Sequence, residues 1–457
     1  MNVLERLFEL SARETTVGRE VRGGITTFMA MAYIILLNPI ILAGAKDITG
    51  AQLSIGQLTT ATALAAAVST LLMAFVGNAP FGLAAGLGLN AVVAYQAAPY
   101  MTWAQAMGLV VLEGLVIIIL AVSGVRRLIM DSIPLALKHA ISVGIGMFIT
   151  LIGLVDAGFV SGGGATPLRL GTTGHLTGWP VTVFCAGLLL MIVLFIRKTP
   201  GAILLSILIT TVLAIVVNSL ATIDPKTWGV VVPRVPDSIV STPDFGLVGQ
   251  FDLFGGFVTA GALTASIVLF TLVLSGFFDA MGTIIGVSDE AGLVDAKGRV
   301  PRLGRILTVD GIAGMVGGSV SASANTVFVE SAAGVGEGAR TGLASVATGG
   351  LLALTMLFTP LAEVVPAAAA APALVLVGAL MMTQSRKVPW DDLEMAIPAF
   401  LTIALMPFTY SITNGVGAGV IAYTLIKAAR GKWGEIPWLL WVVSLIFLAY
   451  FAVDGLF

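Results

Sequence analysis

Charge is what this sequence has least of. Asp, Glu, Lys and Arg make up 11% of its 457 residues, against about 25% in soluble globular domains, which excludes an ordinary soluble domain. A single cysteine, Cys185, excludes an internal disulfide; it lies in an apolar run, where packing is its ordinary role. Two histidines, His139 and His175, with no cysteine pairing leave no metal set of the zinc kind. The chain has no Gly-x4-Gly-Lys-Ser/Thr loop, which disfavours ATP-driven work by this chain alone, and nothing else in it calls for a cofactor. A formal net charge of −2 without any basic block gives no reason to expect nucleic acid as a partner. The N-terminal stretch is charged and amphipathic, with no short apolar core and small-residue cleavage site, so no cleaved signal peptide is expected.

What is present is hydrophobic sequence and glycine: 57% hydrophobic residues and 54 Gly. That is the composition of a polytopic all-α membrane protein with close helix packing and broken helices. A spanning helix needs about 20 mostly apolar residues. On that basis spans are expected near 24–44, 60–77, 84–98, 106–123, 134–156, 181–197 and 201–219, then near 260–286, 306–318, 321–338, 341–359, 364–384, 393–410 and 412–429. A further apolar segment, 437–453, carries Trp438 and Trp441 and is either one more span or an interfacial helix. The expected organisation is a cytoplasmic N-terminal segment (1–23), a first seven-segment repeat (24–219), a long extracytoplasmic connection (220–259), a second seven-segment repeat (260–430) and a C-terminal hydrophobic helix (431–457).

Lysine and arginine placement tests this map. With the N-terminus in the cytoplasm, inner segments hold 19 of the 23 Lys and Arg, including Arg6, Arg13, Arg19, Arg22, Arg126, Arg127, Lys138, Arg197, Lys198, Lys297, Arg299, Arg302, Arg305 and Arg340. Outer segments keep Lys46, Arg169, Lys226 and Arg234. The positive-inside rule is satisfied throughout. Seven is odd, so the two sets have opposite orientation, and an inverted repeat follows.

One stretch does not suit a lipid-facing helix. Gly317 to Gly342 lies deep in the hydrophobic sequence but is built of Gly, Ser, Thr, Asn, a Phe and two Glu. Its part from Ser319 to Val329 reads as extended, and Glu330 to Gly338 as a short helix. Irregular backbone at membrane depth is tolerated only when buried in protein or lining a wet cavity. Pro80 to Ala91, third in the first set, is its short and Gly-punctuated counterpart. Paired interrupted segments point to a transport site near the midplane, where half-helix N-termini offer free N–H groups.

Carboxylates mark that site. Asp279 sits mid-span on a small, polar face with Ser275, Gly276, Gly282, Thr283 and Gly286, opposite Phe270, Leu274, Phe277 and Met281. A carboxylate there costs about 2.5–3.5 kcal/mol on insertion scales, so substrate or ion contact is expected, with capping of a neighbouring half-helix as the plainer role. Glu330 shares a face with Ala333, Gly334 and Glu337, and Glu337 is expected to pair with Arg340. No Lys or Arg lies at the depth of Glu330. Burial without a counter-charge disfavours an ionised carboxyl group, which suits Glu330 and Asp279 as proton-coupling groups. Asn90 offers donor and acceptor together, either to a heterocycle edge or to its own helix start. Phe328 either stacks on a planar ligand or packs, and Ser331 completes the candidate substrate-binding set. Glu113, among large apolar neighbours, is expected to make an internal hydrogen bond. The charged connection Gly286 to Arg305 reads as a solvated loop or surface helix.

Three stretches carry a resemblance: Gly18 to Pro39 (GREVRGGITTFMAMAYIILLNP), Phe278 to Gly298 (FDAMGTIIGVSDEAGLVDAKG) and Asn325 to Gly342 (NTVFVESAAGVGEGARTG). They resemble the nucleobase:cation symporter-2 family, most closely its azaguanine-transporter-like branch of adenine, guanine and hypoxanthine permeases. The resemblance runs in order along nearly the whole chain. It implies fourteen helices in two inverted repeats, with segments one to four and eight to eleven as a core and the rest as a gate. It implies substrate carboxylates at Asp279 and Glu330, a polar third-segment residue at Asn90, proton coupling rather than sodium, and a homodimer. Gly338 followed by Ala339 departs from the two glycines of many relatives, and 437–453 exceeds the fourteen-span plan. The expected function is proton-driven import of purine nucleobases across a bacterial inner membrane. An anion carrier on the same fold and a passive channel are the alternatives; an intramembrane enzyme lacks a nucleophile–base pair.

Overall fold

The computed structural model describes residues 3–123, 133–162, 166–221, 223–293, 300 and 302–456. Arg126, Arg127, Lys297 and Arg299 of the positive-inside pattern lie outside the described residues, as does part of the Gly286–Arg305 connection.

The hydrophobic runs become helices: α1 Val17–Gly44, α2 Ile55–Gly77, α4 Trp103–Ser123, α5 Leu135–Asp156, α6 Trp179–Ile196, α7 Ala202–Leu220, α8 Ala262–Glu290, α9 Leu303–Ser319, α11 Gly342–Thr355, α12 Ala367–Met381, α13 Leu393–Phe408, α14 Ile412–Ala429 and α15 Trp438–Leu456. Ten helices among the described residues are long and apolar enough to cross a bilayer, since 20 residues at 1.5 Å each cover about 30 Å. The chain is an integral membrane protein. Local signals set several starts. Thr16, Thr341, Asp392 and Ser411 each turn a side-chain oxygen onto a backbone N–H of the first turn of α1, α11, α13 and α14, satisfying donors the helix cannot.

The two interrupted segments are shorter than expected but of the expected kind. In the third, strand β1 (Leu83–Ala85) leads into α3 (Leu87–Val92). In the loop after α5, β2 (Val160–Gly162) and β3 (Leu168–Leu170) form a small hairpin, so the protein is not strictly all-α. In the tenth, strand β4 (Asn325–Val327) leads into α10 (Ser331–Gly336). Ser319 belongs to the end of α9 rather than to the extended piece. β1 and β4 pair antiparallel, with Leu83 opposite Val327 and Ala85 opposite Asn325. The pairing gives each broken segment the backbone partners that hydrocarbon cannot.

Packing repeats with the halves exchanged. α4 lies against α9 as α11 lies against α2. α8 contacts α3 and α4 as α1 contacts α10 and α11, and α13 meets α5 and α14 as α6 meets α12 and α7. This symmetry fits an inverted repeat. Glycine permits the closest approaches. A Cβ on Gly334 of α10 would lie 2.4 Å from the carbonyl oxygen of Gly23 on α1. Gly338 ends the tenth segment at φ +99°, which glycine adopts without strain.

Candidate functional site

α1 is not one continuous helix. It breaks at Ala32–Tyr33, and the break sets Tyr33 beside the start of α10. The Tyr33 hydroxyl donates to Glu330 Oε1 at 2.6 Å. Glu330 itself precedes the first turn of α10 and is half-buried. Across from it, Asp279 projects from the middle of α8, within electrostatic range of Glu330. Among the described residues no donor or cation bonds the Asp279 carboxylate. Asp279 is exposed although it sits at mid-helix, and Gly282, Gly286, Ala333 and Gly336 are exposed with it. Cβ atoms built on Gly282, Gly286 and Gly336 meet nothing within 4 Å. The small-residue faces of α8 and α10 around the two carboxylates are therefore left uncovered by other side chains. The exposure continues along both segments to Gly286 and Glu337.

The strand pair forms the floor of this arrangement. Asn90 stands on α3, wholly buried, and neither its amide oxygen nor its amide nitrogen has a hydrogen-bond partner. A bare buried amide is uncommon and calls for an explanation; Asn90 is not capping its own helix. Phe328 is buried, its N–H held by the carbonyl of Gly82 at 2.9 Å. Ser331 is equally buried, and its hydroxyl accepts from Gly82 N at 3.0 Å, so it ties the two interrupted segments together.

Three expectations change. Glu337 pairs with Arg22 of α1 at 2.9 Å, not with Arg340. Arg340 instead donates to the carbonyls of Val335 and Ala339, the Val335 oxygen accepting from Gly338 N as well. A cation also comes nearer than the sequence suggested: Lys138 of α5 holds its ammonium 5.2 Å from the ring of Phe278, the neighbour of Asp279. Third, Glu113 is buried as expected, but its Oε2 has no partner. The carboxyl group fits a notch left by Gly276 of α8 and Gly314 of α9.

Two residues escaped the sequence reading. Tyr33 is one. The other is Asp310, buried in α9, which accepts from Thr326 Oγ1 at 3.0 Å and Val327 N at 3.1 Å. It clamps β4 at the approach to Glu330. The signal was available, since Asp310 is a lone carboxylate inside an apolar segment, as Asp279 is. Cavities elsewhere differ in kind. One of about 110 Å³, lined by Phe270, Leu274, Phe277 and Leu440, lies on the apolar side of α8 away from Asp279.

Residues 18–417 match the model of the Permease family Xan_ur_permease. The guanine/hypoxanthine permease PbuG of Bacillus subtilis is 35% identical, over 98% of this chain and 99% of its own. The adenine permease AdeP of Escherichia coli is 36% identical, over 98% and 95%. Among solved structures, the transmembrane domain of the cyanobacterial bicarbonate transporter BicA superposes with a TM-score of 0.62 at 15% identity, over 88% of this chain and 97% of that one. SLC26A9 does so with 0.64 at 10% identity, over 94% and 69%. At such identities these two share the fold.

Proposed function

This chain belongs to the Permease family, and from that membership we propose that it imports purine nucleobases by proton symport. It is a secondary transporter, not an enzyme. The observation that carries the substrate reading is the pair Asp279 and Glu330 on the uncovered faces of α8 and α10, with an unpartnered amide, Asn90, in the facing segment. A purine presents ring N–H donors beside ring nitrogens and an exocyclic group. Two carboxyl groups accept from the former, and an amide serves either of the latter. Phe328 then flanks the ring from the strand pair.

The coupling proton rides on one of the two carboxyl groups. Glu330 has the Tyr33 hydroxyl to stabilise its charged form; among the described residues Asp279 has no such donor. Fourteen segments, with α1–α4 and α8–α11 moving as a core against a gate of α5–α7 and α12–α14, give alternating access. The N-terminus is cytoplasmic, and the active form is a homodimer. An anion carrier would want cations or bare N–H groups aimed at the ligand; acidic Asp279 and Glu330 speak for a neutral, N–H-bearing one.

The test is uptake of labelled hypoxanthine, guanine and adenine into proteoliposomes under an imposed pH gradient. Uptake should collapse with a proton ionophore and in Glu330→Gln and Asp279→Asn. Wild-type protein that moves no purine under the gradient would sink the proposal. Competition with unlabelled bases ranks the substrates.

A further inference from the structure

On α8 the exposed positions Gly282 and Gly286 follow Asp279, whereas before it, at Thr271, the helix is tied by a specific set of contacts. Beyond α3 the chain continues in a wide helical turn, Val93–Ala97, that carries Tyr95 and Gln96. Gln96 reaches across to the start of α14. Its Oε1 accepts from Thr413 Oγ1 at 2.6 Å, from Thr413 N at 3.1 Å and from Ser411 Oγ at 3.4 Å. Thr413 Oγ1 also lies 3.0 Å from Thr271 Oγ1 of α8. One hydroxyl thus joins the turn after α3, α8 and α14. Beside it the Tyr410 ring stands edge-on to Tyr95, centroids 5.5 Å apart, and to Phe148 of α5, 5.2 Å apart. Tyr410 links α13 to α14 at φ +54°, a left-handed conformation that a bulky residue adopts under strain.

Gln96 is 6% exposed, and its Nε2 has no hydrogen-bond partner. A buried amide serving only as permanent glue would have both ends satisfied. This one has an end gripped three ways and an end bare. Such a side chain holds firmly while α14 is in place and has little else to hold it there.

We infer that Gln96, with Ser411 and Thr413, is the extracellular latch of the transport cycle, closing the path from outside while the uncovered face at Asp279 stands open to the cytoplasm. The inference rests on the alternating-access reading above. Opening to the outside then requires α3 and α8 to part from α14. Weakening the latch shifts the population toward the outward-open form, with Tyr410 the joint whose conformation relaxes.

The experiment reads access rather than transport. In a Cys185→Ala background, a reporter is introduced by Gly282→Cys, one helical turn from Asp279 on α8 at an exposed position where a Cβ meets nothing within 4 Å. A membrane-impermeant maleimide is applied to whole cells and to inside-out vesicles. Gln96→Ala and Thr413→Val should raise the labelling rate from outside about tenfold, the effect of losing roughly one well-made hydrogen bond, and lower it from inside. Thr413→Ser, which keeps the hydroxyl, should behave as the parent. If Gln96→Ala fails to fold, the Thr413→Val and Thr413→Ser pair decides. Parent-like rates in every folded variant would overturn the latch. Labelling that shifts as described in a protein that moves no purine would leave the latch standing and remove the substrate.

Discussion

The third and tenth segments follow one backbone plan and carry opposite chemistry. Each is a three-residue strand followed by a six-residue helix, and the strands pair with one another. Each strand is held by a side chain from the second helix of its own repeat. Thr70 of α2 accepts from Leu83 N at 2.9 Å and donates to its carbonyl at 3.1 Å. Asp310 of α9 accepts from Thr326 and Val327. Past the strands the likeness ends. The tenth segment presents Glu330, half-exposed and bonded to Tyr33; the third presents Asn90, sealed and unbonded. The repeat supplies a scaffold, and the chemistry is written on it asymmetrically.

That asymmetry is open to attack, most forcefully at the acid. Glu330→Gln should lower proton-driven purine uptake about 100-fold, the scale of a hydrogen bond to a charged group, with the folded protein still monodisperse. Uptake within a few-fold of wild type would mean that the tenth segment is no more chemical than the third.

Next come the glycines that let each segment pack on α1. A Cβ at Gly334 meets Gly23 backbone, whereas one at Gly82 meets the flexible end of Met31, Sδ at 2.3 Å. Gly334→Ala should cost about 2–3 kcal/mol of stability and Gly82→Ala less than about 1 kcal/mol, since a methionine repacks and backbone does not. Thermal unfolding in detergent ranks them; equal losses would erase the difference.

The two clamps offer a finer test. Thr70→Ala and Asp310→Ala should each cost about 1–3 kcal/mol by leaving buried strand N–H groups unpaired. If their melting temperatures fall alike but only Asp310→Ala loses uptake, Asp310 does more than hold β4.

The smallest effect is at Asn90. Asn90→Ala removes no hydrogen bond from the empty protein, so its stability should hold while substrate affinity falls about fivefold. Ligand-induced stabilisation over a purine concentration series measures both. A loss of stability without loss of affinity would make Asn90 a packing residue.

Much of the fold was legible because the bilayer constrains sequence so strictly. Apolar runs gave the helices, and the small polar Gly317–Gly342 stretch advertised non-helical backbone. Asp279 and Glu330 stood out because carboxylates at membrane depth are rare. The same logic should have caught Asp310. Tyr33 could not be caught: a tyrosine in an apolar run resembles any other until a break in α1 turns its hydroxyl toward α10. The partner of Glu337 was equally hidden, since Arg340 is near in sequence and Arg22 near only in space.

What the sequence determined alone is therefore what depends on one segment at a time: which runs are apolar, which are broken, where the charges fall. The tertiary structure decided what depends on two segments meeting. It paired the broken pieces as β1 and β4, brought Tyr33 to Glu330, left Asp279 uncovered, and laid Gln96 against the start of α14. Hydrophobic length and charge are local sums, readable in order. Hydrogen bonds between helices need distances of about 3 Å, and only the packing of the whole chain sets those.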